Sequence, residues 1–157
     1  MNAGRSDLPA PAVDLTVDWQ LADRRALLAE GEISDLLRHA LEREGQGGAW
    51  EIAIRFVNDA EIARAHEMYL GDPSPTDIMT FPYDDDDVPG GDILISVDTA
   101  DANAMEHGWV LDEELRFLVL HGLLHILGWE DDTPDARARM LERQGQLLAE
   151  WHVASGR

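Results

Sequence analysis

The fifteen residues EELRFLVLHGLLHIL, 113–127, carry apolar side chains on nearly every side of a helical projection. A helix with one apolar stripe can lie on a surface, but one that is apolar all round has to be covered all round. The rest of the chain must therefore wrap this segment, and 157 residues, the length of one ordinary domain, suffice to bury it in a single core. Two histidines interrupt the segment, at 121 and 125.

The covering layers can be read from periodicity. Residues 1–11 are small, polar and proline-containing and are expected to be disordered, leaving one domain over 12–154. In AVDLTVDW, Val13, Leu15, Val17 and Trp19 alternate as in a half-buried strand. From about Leu21 to Glu44 the spacing becomes helical, with Ile33, Leu36, Leu37, Ala40 and Leu41 in a stripe. WEIAIRFV alternates again, and the following Asn58-Asp59 supplies a cap for a helix to about Leu70. IMTFPY and DILIS, separated by an acidic turn, form a hairpin with a long loop. Asp98 is expected to cap a helix to His107 and Asp112 to cap the apolar one. Thr133-Pro134 opens a final helix to about Val153. The order β-α-β-α-β-β-α-α-α predicts the α+β class, a small mixed sheet of about four strands packed with helices, one of them buried and central.

Charge and composition narrow the function. The formal net charge is −20, and all twelve basic residues are arginine. A lysine-free acidic surface suits high salt, and a GC-rich genome would write the same bias. Nucleic acid is repelled by such a chain unless arginines gather locally. Cysteine is absent, which fits a reducing compartment and leaves His, Asp and Glu as metal ligands. With no run of eighteen apolar residues and no apolar leader near the amino terminus, the expectation is a cytoplasmic protein without membrane contact. The four aspartates at 84–87 lack the spaced ligands of a calcium loop and read as a solvated turn.

His121 and His125, four residues apart and about 6 Å along a helix axis, project from one face and can converge on one ion. Two such histidines can equally be core residues bonded elsewhere. Gly128 can adopt positive φ and turn the chain back, which places Asp131 as the third ligand, with Asp132 second choice and Asp135 third. His-x3-His-x2-Gly-x2-Asp has the spacing of a metzincin site with Asp in the last place, but Gly122 stands where the catalytic glutamate of H-E-x-x-H would be. A general base has to come from elsewhere. Zinc suits the donor set, and iron(II), cobalt or nickel would also fit.

The same stretch resembles the YbeY family of metal-dependent endoribonucleases of ribosomal RNA maturation, whose signature reads H-G-x-L-H-x-x-G-[YW]-[DE]-H. His121, Gly122, Leu124, His125, Gly128, Trp129 and Glu130 match it. YLGDPSPTDIMTFPY is similar to the family's Y-R-G-x-x-x-P-T-D-V-L-S-F-P at Tyr69, Gly71, Pro75, Thr76, Asp77, Phe81 and Pro82, and GGDILIS to L-G-D-I-x-I-S. The chain departs from the family at Asp131, where a third histidine is usual, at Leu70 in place of an arginine, and at His66 in place of an asparagine.

The resemblance implies a zinc-dependent endoribonuclease acting on single-stranded RNA, with ribosomal RNA and ribosomal components as partners and a monomer favoured. It also implies that Thr76 and Asp77 lie near the metal cleft, although Thr-Asp at a loop–strand boundary commonly makes turn hydrogen bonds. Asp92 reads likewise as a structural residue. Arg55 and Arg116 are the candidates for the missing phosphate contact, with ion pairing to some of the thirty-two acids as the alternative. Arg137, Arg139 and Arg143 read as a solvated helix face. Two other functions fit the same residues: a ribosome-associated assembly factor with a structural metal, and a hydrolase of some small substrate.

Overall fold

The computed structural model describes residues 8–21, 26–84 and 87–157. Four strands, β1 (Ala12–Trp19), β2 (Ala49–Val57), β3 (Ile78–Pro82) and β4 (Gly90–Ser96), form one mixed sheet in the order β1-β2-β4-β3. β1 and β4 flank β2 in parallel, and β3 pairs antiparallel with β4 as the expected hairpin. Among the described residues five helices pack with it: α1 (Glu30–Arg43), α2 (Asp59–Leu70), α3 (Val97–His107), α4 (Leu111–Ile126) and α5 (Pro134–Ser155). The architecture is α+β.

Alternation along β2 sorts the two faces of the sheet. Ile52, Ile54 and Phe56 point into the main core with Ile93 and Ile95 of β4, while Val57 joins Ile62, Met79 and Leu94 in a smaller cluster beneath α2. The main core is closed by α1, α4 and α5, and α4 buries Leu115, Leu118, Val119, Leu120, Leu123 and Leu124 within it. The apolar helix is thus the central one.

Three boundaries differ from the periodicity. α1 begins at Glu30 rather than near Leu21: residues 22–25 lie outside the described ones, and Leu28 is buried without being helical. α3 is capped by Ser96, whose Oγ accepts from the Thr99 N–H, while Asp98 accepts from the Asp59 N–H. α4 follows Val110 with no side-chain cap, and Asp112 sits in its first turn. Where a strand runs straight into a helix, the last strand residue is the one positioned to cap. Of the amino-terminal segment, residues 1–7 lie outside the described ones; the Pro9 carbonyl accepts from the Gly48 N–H at 3.3 Å, and Pro11 is buried.

Candidate metal centre

α4 approaches the sheet through Gly122. A Cβ there would meet Ile93 Cδ1 at 2.8 Å and Cγ2 at 3.0 Å, so only glycine lets the helix lie this close to β4. This position faces the sheet, and a glutamate here could not reach an ion held by His121 and His125. One turn later the helix ends in a Schellman motif: the Gly128 N–H donates to His125 O at 3.0 Å and the Trp129 N–H to Leu124 O at 2.9 Å, with Gly128 at φ 99°. The chain reverses there, as the spacing required. Trp129 is held by its indole N–H on Glu44 Oε1 at 2.7 Å, and Arg143 grips the other Glu44 oxygen at 2.9 Å.

Asp131 arrives opposite the two histidines. His121 Nε2 and His125 Nε2 are 3.1 Å apart, and Asp131 Oδ2 is 3.4 Å from each. Donors at zinc's usual bond lengths around one tetrahedral ion stand about 3.3–3.6 Å from one another, so this triangle has nearly the dimensions of a three-point metal cage. Among the described residues, these three form a group able to hold a metal.

The hydrogen bonds behind the rings explain why they face one another. Gln144 Nε2 donates to the Phe117 carbonyl at 2.9 Å, which orients its amide so that Oε1 accepts from His121 Nδ1–H at 2.9 Å. His125 Nδ1–H donates to the Trp129 carbonyl at 3.1 Å. With the proton on Nδ1 in both neutral rings, each Nε2 presents a lone pair to the other and to the Asp131 carboxylate. Three electron pairs in so small a triangle call for a cation, and the residues fit a divalent transition metal. His121 is only 12% exposed, and its burial lowers the imidazole pKa below the ordinary 6.5, which favours the neutral, metal-ligating form.

A cleft of about 580 Å3 opens beside the triad, lined by Asp77, Glu114, Phe117, His121, Arg137 and Gln144 among others. Asp77 thus lies in the cleft, 3.4 Å from the Asn103 amide, and its backbone carbonyl accepts from the Ser96 N–H, which extends the β3–β4 ladder by one residue. The cleft lining does not include Arg55 or Arg116. Arg55 is exposed on β2, on the face opposite Ile54 and hence opposite α4. Arg116, 15% exposed, is engaged by Glu32 at 2.9 Å and Glu113 at 3.2 Å, and it lines a separate hollow with Trp109 and His152.

Several residues that sequence reasoning passed over stand at the site. Arg137, read as part of a solvated helix face, lines the cleft 3.8 Å from Asp131 Oδ2. Gln144 and Glu44 orient the ligands, and buried Glu114, bonded to His107 at 3.1 Å, lines the cleft too. Leu70 is 69% exposed at the end of α2, and His66 ties the α2–β3 loop by Nδ1 to the Ser74 carbonyl at 2.8 Å. Tyr83 donates to Asp92 at 2.6 Å, so Asp92 is a tie within the hairpin.

Comparison with known proteins places this geometry. The family model described as "Endoribonuclease YbeY" matches residues 20–152. The chain belongs to the YbeY family. Curated YbeY relatives include that of an Exiguobacterium species, 31% identical over 85% of this chain and 95% of its own. Another is that of Bacillus licheniformis, 36% identical over 74% and 82%. The solution structure of TM1509 from Thermotoga maritima shares the fold, with a TM-score of 0.59, 23% identity, and coverage of 89% of this chain and 90% of that one. Within the YbeY family, the family signature at 121–130 thus falls on the helix end and turn that carry the cage.

Proposed function

We propose that this protein is a zinc-dependent endoribonuclease that cleaves single-stranded RNA in ribosomal RNA maturation and ribosome quality control, in the cytoplasm and in contact with ribosomal components. Membership of a family named for endoribonuclease activity supports the reaction. The observation that carries the site is the triangle of two imidazole nitrogens and one carboxylate oxygen at 3.1–3.4 Å, whose His121 corner lines a cleft.

A bound zinc ion supplies a Lewis acid that polarises a phosphoryl oxygen and lowers the pKa of coordinated water toward 7. His121 and His125 contribute neutral nitrogen donors whose direction Gln144 and the Trp129 carbonyl maintain. Asp131 brings one negative charge where a third imidazole would bring none, which reduces the pull of the site on an anionic substrate. Asp77, lining the same cleft, is our choice for the group that accepts a proton from the attacking water.

Cleavage of a single-stranded RNA by untagged protein, with and without chelator, tests this reading: metal-dependent cleavage is expected, and intact RNA under metal-replete conditions overturns it. Asp131→His is expected to cleave faster than wild type, and a slower variant would refute the charge argument. A second reading, an assembly factor with a structural metal, is favoured by the −20 charge and by Leu70; it predicts chelator-insensitive RNA binding without cleavage.

A further inference from the structure

The cleft extends well beyond the triad. Glu114, Phe117 and His121 sit on successive turns of α4, so the opening runs along the helix for about 10 Å away from His121. Trp109, in the α3–α4 connection, closes the far end. Its ring centroid is 5.3 Å from Phe117 in an edge contact and 4.9 Å from His107, yet it remains 40% exposed. An indole surface is thus presented at one end of a cleft whose other end is lined by His121, one corner of the metal cage.

Arg137 stands over the same cleft from α5, with a side chain 60% exposed. It is the one arginine in the lining among the described residues, and the ion pair it makes is the long 3.8 Å approach to Asp131. When Asp131 shares its charge with a cation, its hold on the guanidinium weakens. The fork is then available to phosphate oxygens, which it can bind in a bidentate manner. The lining also holds Asp77 and the His107-bonded Glu114, so on a chain of net charge −20 Arg137 is the guanidinium that an anion reaching the cage along this cleft would meet.

We propose that this cleft is a nucleotide subsite, in which an unpaired base lies against Trp109 while the Arg137 guanidinium holds an adjacent phosphate beside the triad. The proposal rests on the nuclease reading and adds which part of the RNA the protein grips. Stacking on an aromatic face tolerates every base, so the subsite selects unpaired nucleotides rather than a sequence, and a base inside a duplex has no free face to offer.

The test is fluorescence anisotropy on the zinc-loaded protein with a labelled twelve-nucleotide single-stranded RNA and its duplex, both carrying 2′-O-methyl phosphorothioate linkages that resist hydrolysis. Trp109→Ala is expected to weaken single-strand binding about tenfold and Trp109→Phe much less. Arg137→Gln should lower the slope of log K against log salt by about 0.7, the share of one phosphate contact. Arg38→Gln, the same charge change at a residue paired to Asp35 on α1, should leave that slope unchanged. Single-strand binding indifferent to Trp109→Ala, or equal effects of the two arginine variants, would overturn the subsite. Dependence on Trp109 without metal-dependent cleavage keeps the subsite and removes the nuclease reading. Cleavage with binding indifferent to Trp109 removes the subsite alone.

Discussion

Gln144 shows most clearly how single residues make the site. Its buried amide is anchored by a donor bond to Phe117 O, and its oxygen holds the proton of His121 on Nδ1. Gln144→Leu removes that acceptor at similar volume, and zinc affinity is expected to fall about 10- to 100-fold with little change in secondary structure, as read by chelator competition. An unchanged affinity would contradict the role. The pH dependence follows from His121. Burial lowers its folded pKa below the unfolded 6.5, so below that pH the unfolded chain binds more protons than the folded one. The contribution is full above pH 6.5 and is lost as pH falls toward the folded value. Metal-free protein should therefore lose melting temperature between pH 7 and 5.5 more steeply than His121→Asn; equal slopes would count against it. His121, His125 and Asp131 were legible because helical spacing and one glycine determine their directions. Gln144 was not, because it lies 23 positions away and registers in sequence only as a polar break in an apolar stripe, and Arg137 looked like any exposed arginine.

At the scale of elements, the approach of α4 to β4 sets where the cage can form. Gly122→Ala would drive a methyl group to within 2.8–3.1 Å of three side-chain carbons of Ile93, which is buried in the main core. A loss of about 1–3 kcal/mol is expected, measured by urea unfolding, together with weaker zinc binding as the helix is pushed from the sheet. Wild-type stability would show that the contact relaxes freely. The strands were legible from alternation, since the period of two survives even in β1, where the inward residues are only half-buried. The helix starts were less legible. Ser96 caps α3 because β4 ends there, and Asp98 was drawn instead into the network around Asp59. Capping depends on where the preceding strand stops, which local propensity does not encode.

For the whole molecule, the apolar helix implied layers around it, and the sheet with α1, α3 and α5 supplies them. The strand order was not legible: β4 lies between β2 and β3 although β3 precedes it in the chain, a consequence of crossover packing rather than of any strand's own pattern. The cage gathers these levels, because α4 carries two ligands, the turn after it carries the third, and α1 and α5 brace them through Glu44, Arg143 and Gln144. The most direct test is elemental analysis of untagged wild type and Asp131→Ala after metal-replete purification. One divalent transition metal per wild-type chain, lost or greatly reduced in the variant, is the predicted result; metal-free wild type, or a variant that retains the ion in full, would contradict the three-point cage.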